Sequence, residues 1–354
     1  MSTDNRLDFI RIAGTPHDVG IQLGTFGRMI THSHLLASHT WNSVMSFRGD
    51  PRVAVMRNMV EERFPAHWSE LQGLSLGLDL PFDDVFLWNC RGDVWAMTQD
   101  GCTTVQIPGH EPVLAHNEDG DPGFRGHCAL AQVRPEDGVA FTSFVYPASI
   151  PGHTFAVTEA GLVQTVNNIR ARDAGAGLPR MVLGRAILDC RSLDEAVRHI
   201  ESSERAGSFH MTLGQQGDGR LFGIEFTHRS CSVRAIDRPQ CHANHLVHAE
   251  MQGEPQFVTG SSGARQQRGD ALLADTLNAS PNPIGILWDV GVPRLPIYRA
   301  HPHDPDGENT LATAVFQIGS KAVDWEVYDG RGELPHFALE GTSTPARGLN
   351  GSVD

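Results

Sequence analysis

Residues 99–108 read QDGCTTVQIP, and the pattern changes at this point in the chain. Asp-Gly is a strong turn dipeptide, and Thr-Thr-Val-Gln-Ile suits a pleated, half-buried segment. The stretch therefore opens a strand. Upstream, to about Thr98, the apolar residues recur at three- and four-residue spacing through 16–45 and 52–80, and PFDDVFLWNCRGDVWAM adds a third helical stretch with Asp83 and Asp84 in its first turn. Downstream, CTTVQI, PVLAHNE, CALAQVR, VAFTSFVY, TFAVTEAGLVQTVNN, HMTLGQQ and RLFGIEF are short and rich in β-branched or aromatic residues, with turns such as PEDG and GDG between them.

Helices interrupt this series at LPRMVLGRAILDC and SLDEAVRHIESSE, where Ser192 and Glu195 fit a capping box. A Gly-, Gln- and Ser-rich loop spans 252–263, a helix is expected near 264–278, and TLATAVFQIG with AVDWEVYDG forms a last hairpin. Strand blocks alternating with helix pairs predict an α+β protein of antiparallel sheets covered by helices. No Pro/Gly-rich hinge accompanies the switch at residue 100. It divides roles, a helical segment 1–101 and a chain 102–354, within one structural domain.

Bulk composition removes several function classes. The 354 residues carry a formal charge of −14 with no run of lysine or arginine, so nucleic acid and anionic membrane are poor partners. No stretch approaches 18 uninterrupted apolar residues, as a membrane span would require. The first residues lack a secretory pattern, and six scattered cysteines with no CxxC read as free thiols, so a cytoplasmic location is expected.

Cys102 stands at the start of the first strand, after a glycine. A cysteine nucleophile needs a base and a stabiliser for the oxyanion. If the Gly101–Cys102 bond is cut, the new α-amine can be that base, with an unperturbed pKa of ~7.7–8.0. Glycine offers an unhindered carbonyl for attack by the cysteine sulfur, and hydrolysis of the resulting thioester completes self-cleavage. The lone triplet GCT carries little information, but it is followed in order by VLAHNEDGD, FGIEF and HANHLVH, and preceded by GIQLG and LWNCRGDVWA.

Together these motifs resemble the acyl-CoA:isopenicillin N acyltransferase family, the cysteine branch of the N-terminal nucleophile hydrolases. The resemblance implies a four-layer αββα sandwich, two antiparallel sheets between helical layers, with 1–101 retained after cleavage as a light chain. It assigns Cys102 as processed nucleophile, Gly101 as the last residue of the pro-segment, and Asp119 as the aspartate near the nucleophile's amine. Asn244 takes the place of the asparagine whose amide helps form the oxyanion hole, a donor that stays neutral at every working pH. Asn167 in TVNNI and Arg299 in PIYRAH are further candidates for contacts to substrate. Glu118 stands where family members usually carry an aromatic residue.

The expected activity is hydrolysis of a small N-acyl amide through an acyl-enzyme, without cofactor or metal. Acyl transfer to an amine is the alternative, less favoured because no cluster of positive charge is visible for a coenzyme A phosphate. Two other classes compete. CHANHLVH (Cys241, His242, His245, His248) and HPHDPDGE (His301, His303, Asp304, Asp306) raise a zinc hydrolase. However, the histidine spacing lacks an HExxH-type base, and the second stretch is too rich in proline for a helix. An unprocessed binding scaffold would need none of Cys102, Asp119 and Asn244.

Overall fold

The computed structural model describes residues 6–98, 101–275, 281–344 and 346–347. A first strand, β1 (Asp8–Gly14), is followed by six helices: α1 (Pro16–Ser33), α2 (His39–Met45), α3 (Pro51–Arg63), α4 (Pro65–Leu78), α5 (Phe82–Asn89) and α6 (Arg91–Val94). Thr15 caps α1 in a reciprocal box with Asp18, and Pro16 fits the first turn because its missing N–H has no helical partner there. The helical reading of 52–80 is divided at Phe64–Pro65, where a proline ends α3 and begins α4.

Strands then dominate: β2 (Gly101–Ile107), β3 (Val113–Gly120), β4 (Ala129–Pro135), β5 (Phe141–Val145), β6 (Ala156–Thr158) and β7 (Leu162–Asn168). After α7 (Arg180–Ile187) and α8 (Leu193–Ser202) come β8 (Phe209–Gln215), β9 (Asp218–Phe226), β10 (Cys231–Ala235) and β11 (Gln240–His242). Helices α9 (Gly260–Ala274) and α10 (Pro283–Leu287) precede β12 (Asn309–Ile318), β13 (Val323–Tyr328), β14 (Phe337–Glu340) and β15 (Ala346–Arg347).

The strands form two sheets. One has eight strands in the order β1-β4-β5-β6-β7-β8-β9-β10, the other seven in the order β11-β2-β3-β12-β13-β14-β15. Helices α1 and α8 pack on the eight-stranded sheet, with α4 and α7 beside them, while α9 and α10 cover the seven-stranded sheet. The expected four layers are therefore present. Among the described residues, all ladder pairings are antiparallel except β1 with β4.

That exception qualifies the helical reading of the N-terminal segment. Asp8–Gly14 pairs along its whole length with β4, and from Ile10 to Gly14 its exposure alternates as on an edge strand. β10, β11, β14 and β15, each two to five residues long, are not marked by the sequence pattern.

One apolar cluster links Leu7, Leu71, Trp88, Phe144, Phe226 and Trp325, so the N-terminal helices and both sheets share a core. The two central strands differ from it. β2 and β3 are buried on both faces, between the facing sheet and α10, yet carry Thr103, Thr104, Gln106, His116, Asn117, Glu118 and Asp119. Burying so many polar groups is unfavourable unless each is partnered. A polar pair of strands at the centre of an apolar sandwich is where chemistry is to be sought.

Candidate active site

The β2–β3 register pairs Gly101 with Asp119 and Cys102 with Glu118. Because side chains alternate across a strand, Cys102, Thr104, His116 and Glu118 face the eight-stranded sheet, while Thr103, Asn117 and Asp119 face the α9–α10 layer. Thr104 donates to Asn167 Oδ1 on β7 at 2.7 Å, and Gln106 donates to Thr212 Oγ1 on β8 at 2.6 Å, so polar contacts join the two sheets beside the cysteine.

Cys102 is 2% exposed, and its Sγ lies 3.9 Å from Glu118 Oε2. A narrow pocket adjoins it, walled by Glu118, His153, Asn168, Met181 and Phe209, with Arg91 and Arg180. A second pocket, bounded by Trp88, Phe124 and Tyr146, shares Arg91 with the first. Trp88 and Arg91 belong to α5 and α6, so the N-terminal helices build part of the wall.

The backbone of Cys102 is gripped from both sides. Its N–H donates to Asn244 Oδ1 at 3.0 Å, and its carbonyl accepts from Arg265 at 2.5 Å. Arg265 also donates to Thr103 Oγ1 at 2.8 Å and to Asn244 Oδ1 at 2.6 Å. Asn244 itself is held by its own N–H to Ser262 Oγ and by its Nδ2 to the Asn168 carbonyl, at 2.9 and 3.0 Å. Asn244 thus reaches the nitrogen of Cys102, and its amide donor points to the end of β7.

On the other face, Asp119 Oδ1 accepts from Thr310 Oγ1 at 2.6 Å, and its Oδ2 lies 3.9 Å from the Arg299 guanidinium. A bulge in β12 between Thr310 and Ala312 lets that hydroxyl meet the carboxylate. Arg299 further pairs with Glu308 and Asp304. Arg170 lies 3.5 Å from Glu308.

Burial pushes the Asp119 carboxyl up from its usual range, against the pull of Arg299 and Arg265, and pushes Glu308 up to about 7. Gly101 sits against this cluster: a β-carbon there would lie 2.2 Å from Glu308 Oε2 and 2.9 Å from Arg299. Any side chain before the cysteine would have to displace Glu308. Asp100 lies outside the described residues.

Each residue singled out in the sequence therefore has a place. Asp119 adjoins Gly101 rather than the sulfur, Asn244 touches Cys102 directly, and Asn167 reaches β2 through Thr104. Arg299 stands one residue removed, behind Asp119 and Glu308.

Arg265 and His116 were missed. Arg265 lies in GARQQRG, a stretch with no motif, and only the packing of α9 brings it to β2. His116 and Glu118 were legible in principle. A hairpin closing around PGHEP sets Ile107 opposite Val113, and counting back puts Glu118 opposite Cys102.

Neither histidine-rich stretch gathers its side chains into a metal-binding group among the described residues. His242 pairs with Glu225, His245 with Ser262 and His248 with Ser232. Asp304 and Asp306 are engaged by Arg299. The one convergent group of candidate ligands among the described residues is Cys102, His116 and Glu118.

Residues 107–330 match the family described as acyl-coenzyme A:6-aminopenicillanic acid acyl-transferase, which is more than half of the chain. The chain belongs to this acyl-transferase family. The matched region contains Asp119, Asn167, Asn244, Arg265 and Arg299, and begins five residues after Cys102. Among curated proteins, this acyl-transferase family member is similar to the beta-alanyl-dopamine/carcinine hydrolase of Drosophila melanogaster, 25% identical over 216 residues. That similarity covers 54% of this chain and 56% of the relative, so the chain spans little more than half of the hydrolase's length. No helix among the described residues is long and apolar enough to cross a membrane.

Proposed function

We propose that the protein is a cysteine amide hydrolase of the N-terminal nucleophile type, which cuts its own chain at Gly101–Cys102 and then cleaves small N-acylated amines, amides of β-alanine among them. The observation that carries this reading is the grip on Cys102: its N–H on Asn244, its carbonyl on Arg265, and a residue before it at which any side chain would have to displace Glu308.

In the first stage the Cys102 sulfur adds to the Gly101 carbonyl and the peptide C–N bond breaks, giving a thioester and a free α-amine. Water then releases the Gly101 carboxylate and restores the thiol. The new ammonium keeps Asn244 Oδ1 as acceptor, and Asp119, across the ladder from Gly101, supplies a compensating charge.

In turnover the α-amine takes the thiol proton, sulfur attacks the substrate carbonyl, and the leaving amine receives that proton as the acyl-enzyme forms. Water resolves the acyl-enzyme. Asn244 is assigned to the oxyanion; serving it requires the amide donor to leave the Asn168 carbonyl once the chain is cut. Transfer of the acyl group to an amine is the same chemistry with a different acceptor, and the family's description supports it as a second reading.

A denaturing gel with a native sizing run tests the proposal. Purified protein should separate into residues 1–101 and 102–354 under denaturing conditions and elute as one species otherwise. Cys102→Ala should stay intact and inactive on a panel of N-acyl amines. An uncut wild-type chain with full turnover would sink the amine-as-base mechanism. Adding a competing amine and measuring new amide against free acid separates transfer from hydrolysis.

A further inference from the structure

Asn244 stands in a segment, residues 243–248, that is neither helix nor strand, so no ladder fixes the backbone that carries it. Side chains do so instead. Ala243 N–H donates to Gln266 Oε1 at 2.9 Å, Asn244 N–H to Ser262 Oγ at 2.9 Å, and Leu246 N–H to Gln256 Oε1 at 2.8 Å. Val247 N–H and His248 N–H both go to Glu225, at 2.6 Å on Oε1 and 3.1 Å on Oε2. The ring of His242, just before the segment, meets Glu225 Oε1 through Nε2 at 2.8 Å. Glu225 therefore grips the chain on both sides of Asn244. It is fully buried on β9, paired with β8 and β10 on either side, and belongs to FGIEF, a stretch the sequence marks without a role. Burial alone would raise its carboxyl, but the contacts from His242 and Val247 hold it below the ordinary value, so it is an ionised acceptor at neutral pH.

We propose that Glu225 is the positioning residue for Asn244: its carboxylate fixes the backbone of residues 243–248, so that the Asn244 side chain can turn on a stationary α-carbon. In the uncut chain that side chain is committed, Oδ1 to the Cys102 N–H and Nδ2 to the Asn168 carbonyl. Serving an oxyanion requires the amide donor to leave Asn168, and the backbone must then be held by contacts outside that pair. Glu225 supplies them from an interior strand, on groups that take no part in the turn. The histidine-rich CHANHLVH gains a role by the same geometry, since His242 acts as a donor to Glu225 rather than as a metal ligand. This inference rests on the reading of Asn244 as oxyanion donor.

The test is a double-mutant cycle in the full-length protein, read as turnover of N-acyl amines per cut chain and as the rate of cutting. Glu225→Gln keeps the size of the side chain but turns an amide N–H₂ toward backbone donors. It should lower kcat by about 10–10²-fold with KM little changed, the pattern of a group misplaced for the transition state alone. In an Asn244→Ala background the same change should cost almost nothing further, because the residue through which it acts is gone. Where Glu225→Gln does not fold, Glu225→Asp, which keeps the charge but draws it back by one methylene, takes its place in the cycle. The wild type supplies a readout that needs no variant: the Val247 and His248 amides should exchange with solvent as slowly as those of β9. Equal losses in both backgrounds would make Glu225 a merely structural residue and overturn this inference alone, as would exchange of the two amides at the rate of an exposed loop. Near-normal turnover of Asn244→Ala would overturn the oxyanion reading and this inference with it.

Discussion

Gly101 and Arg265 show how narrowly the cysteine is held. Gly101→Ala places a methyl group 2.2 Å from Glu308 Oε2, so the carboxylate that pairs with Arg299 must shift to admit it. Self-cleavage in that variant should fall by about ten-fold or more, the consequence of misplacing reacting atoms by a fraction of an ångström. The fraction cut after a fixed time on a denaturing gel measures it. Arg265→Lys retains the charge but loses the fork that spans Cys102, Thr103 and Asn244 at once. Turnover of N-acyl amines should drop on the order of 10², with the fold kept, as circular dichroism would report; turnover near wild type would reduce Arg265 to a packing residue. Asn244→Ala should cost about 10²–10³ in turnover, the usual loss of one oxyanion donor. It should also slow cutting, because the Cys102 N–H loses its acceptor.

Among the elements, the α1–α4 pair has the closest approach. Gly20 faces the Glu70 carbonyl and Gly73 the His17 carbonyl, each with a β-carbon position only 2.0 Å from that oxygen. The two backbones meet directly, so Gly73→Ala must push the helices apart. About 1–3 kcal/mol of destabilisation is expected from such overpacking, read by chemical denaturation, and Gly253→Ala, where the β-carbon would meet nothing and the backbone is not left-handed, serves as the control for the loss of a glycine alone. Cap chemistry is a case where the sequence pattern was nearly right. Ser192 Oγ accepts from the Glu195 N–H at 3.2 Å as a box requires, but the Glu195 carboxylate reaches back to the Arg191 N–H at 2.8 Å, one residue before the cap. The hairpin β2–β3 is the element on which the proposed chemistry rests, since its register puts Glu118 rather than Asp119 opposite Cys102.

For the molecule as a whole, buried histidines set the response to acid. Burial lowers His67 to about 3 and His245 to about 4, and it lowers His199, His210 and His248 as well. At His67 the Arg185 and His199 charges add to burial, and Asp189 opposes them. The folded form thus binds fewer protons than the unfolded form below the ordinary histidine value of 6.5, so stability present at neutral pH is lost as pH falls toward the folded values. Each such histidine contributes a slope of about 1.4 kcal/mol per pH unit within its window. Denaturation midpoints at pH 7 and pH 5 should therefore differ markedly, and His67→Gln should narrow the difference. An unchanged difference would mean that His67 is protonated in the fold.

By itself the sequence determined the class of fold and singled out Cys102 as the candidate nucleophile. Helical periodicity ends before residue 101, where short β-branched and aromatic segments between turns take over, and a glycine-cysteine pair opening a strand, followed by HNED and HANH in order, is an arrangement that local composition displays directly. What only the tertiary structure decided were relations between side chains far apart in the chain: Arg265 on α9 bound to Cys102 on β2, Thr310 presented to Asp119 by a bulge, and Asp8–Gly14 recruited as an edge strand. Hydrophobic patterning could not mark them, because β2 and β3 are buried on both faces and lose the alternation that normally tells inside from outside. In such strands the role of each polar residue follows from its partner across the ladder and across the sandwich, and long-range packing supplies those partners.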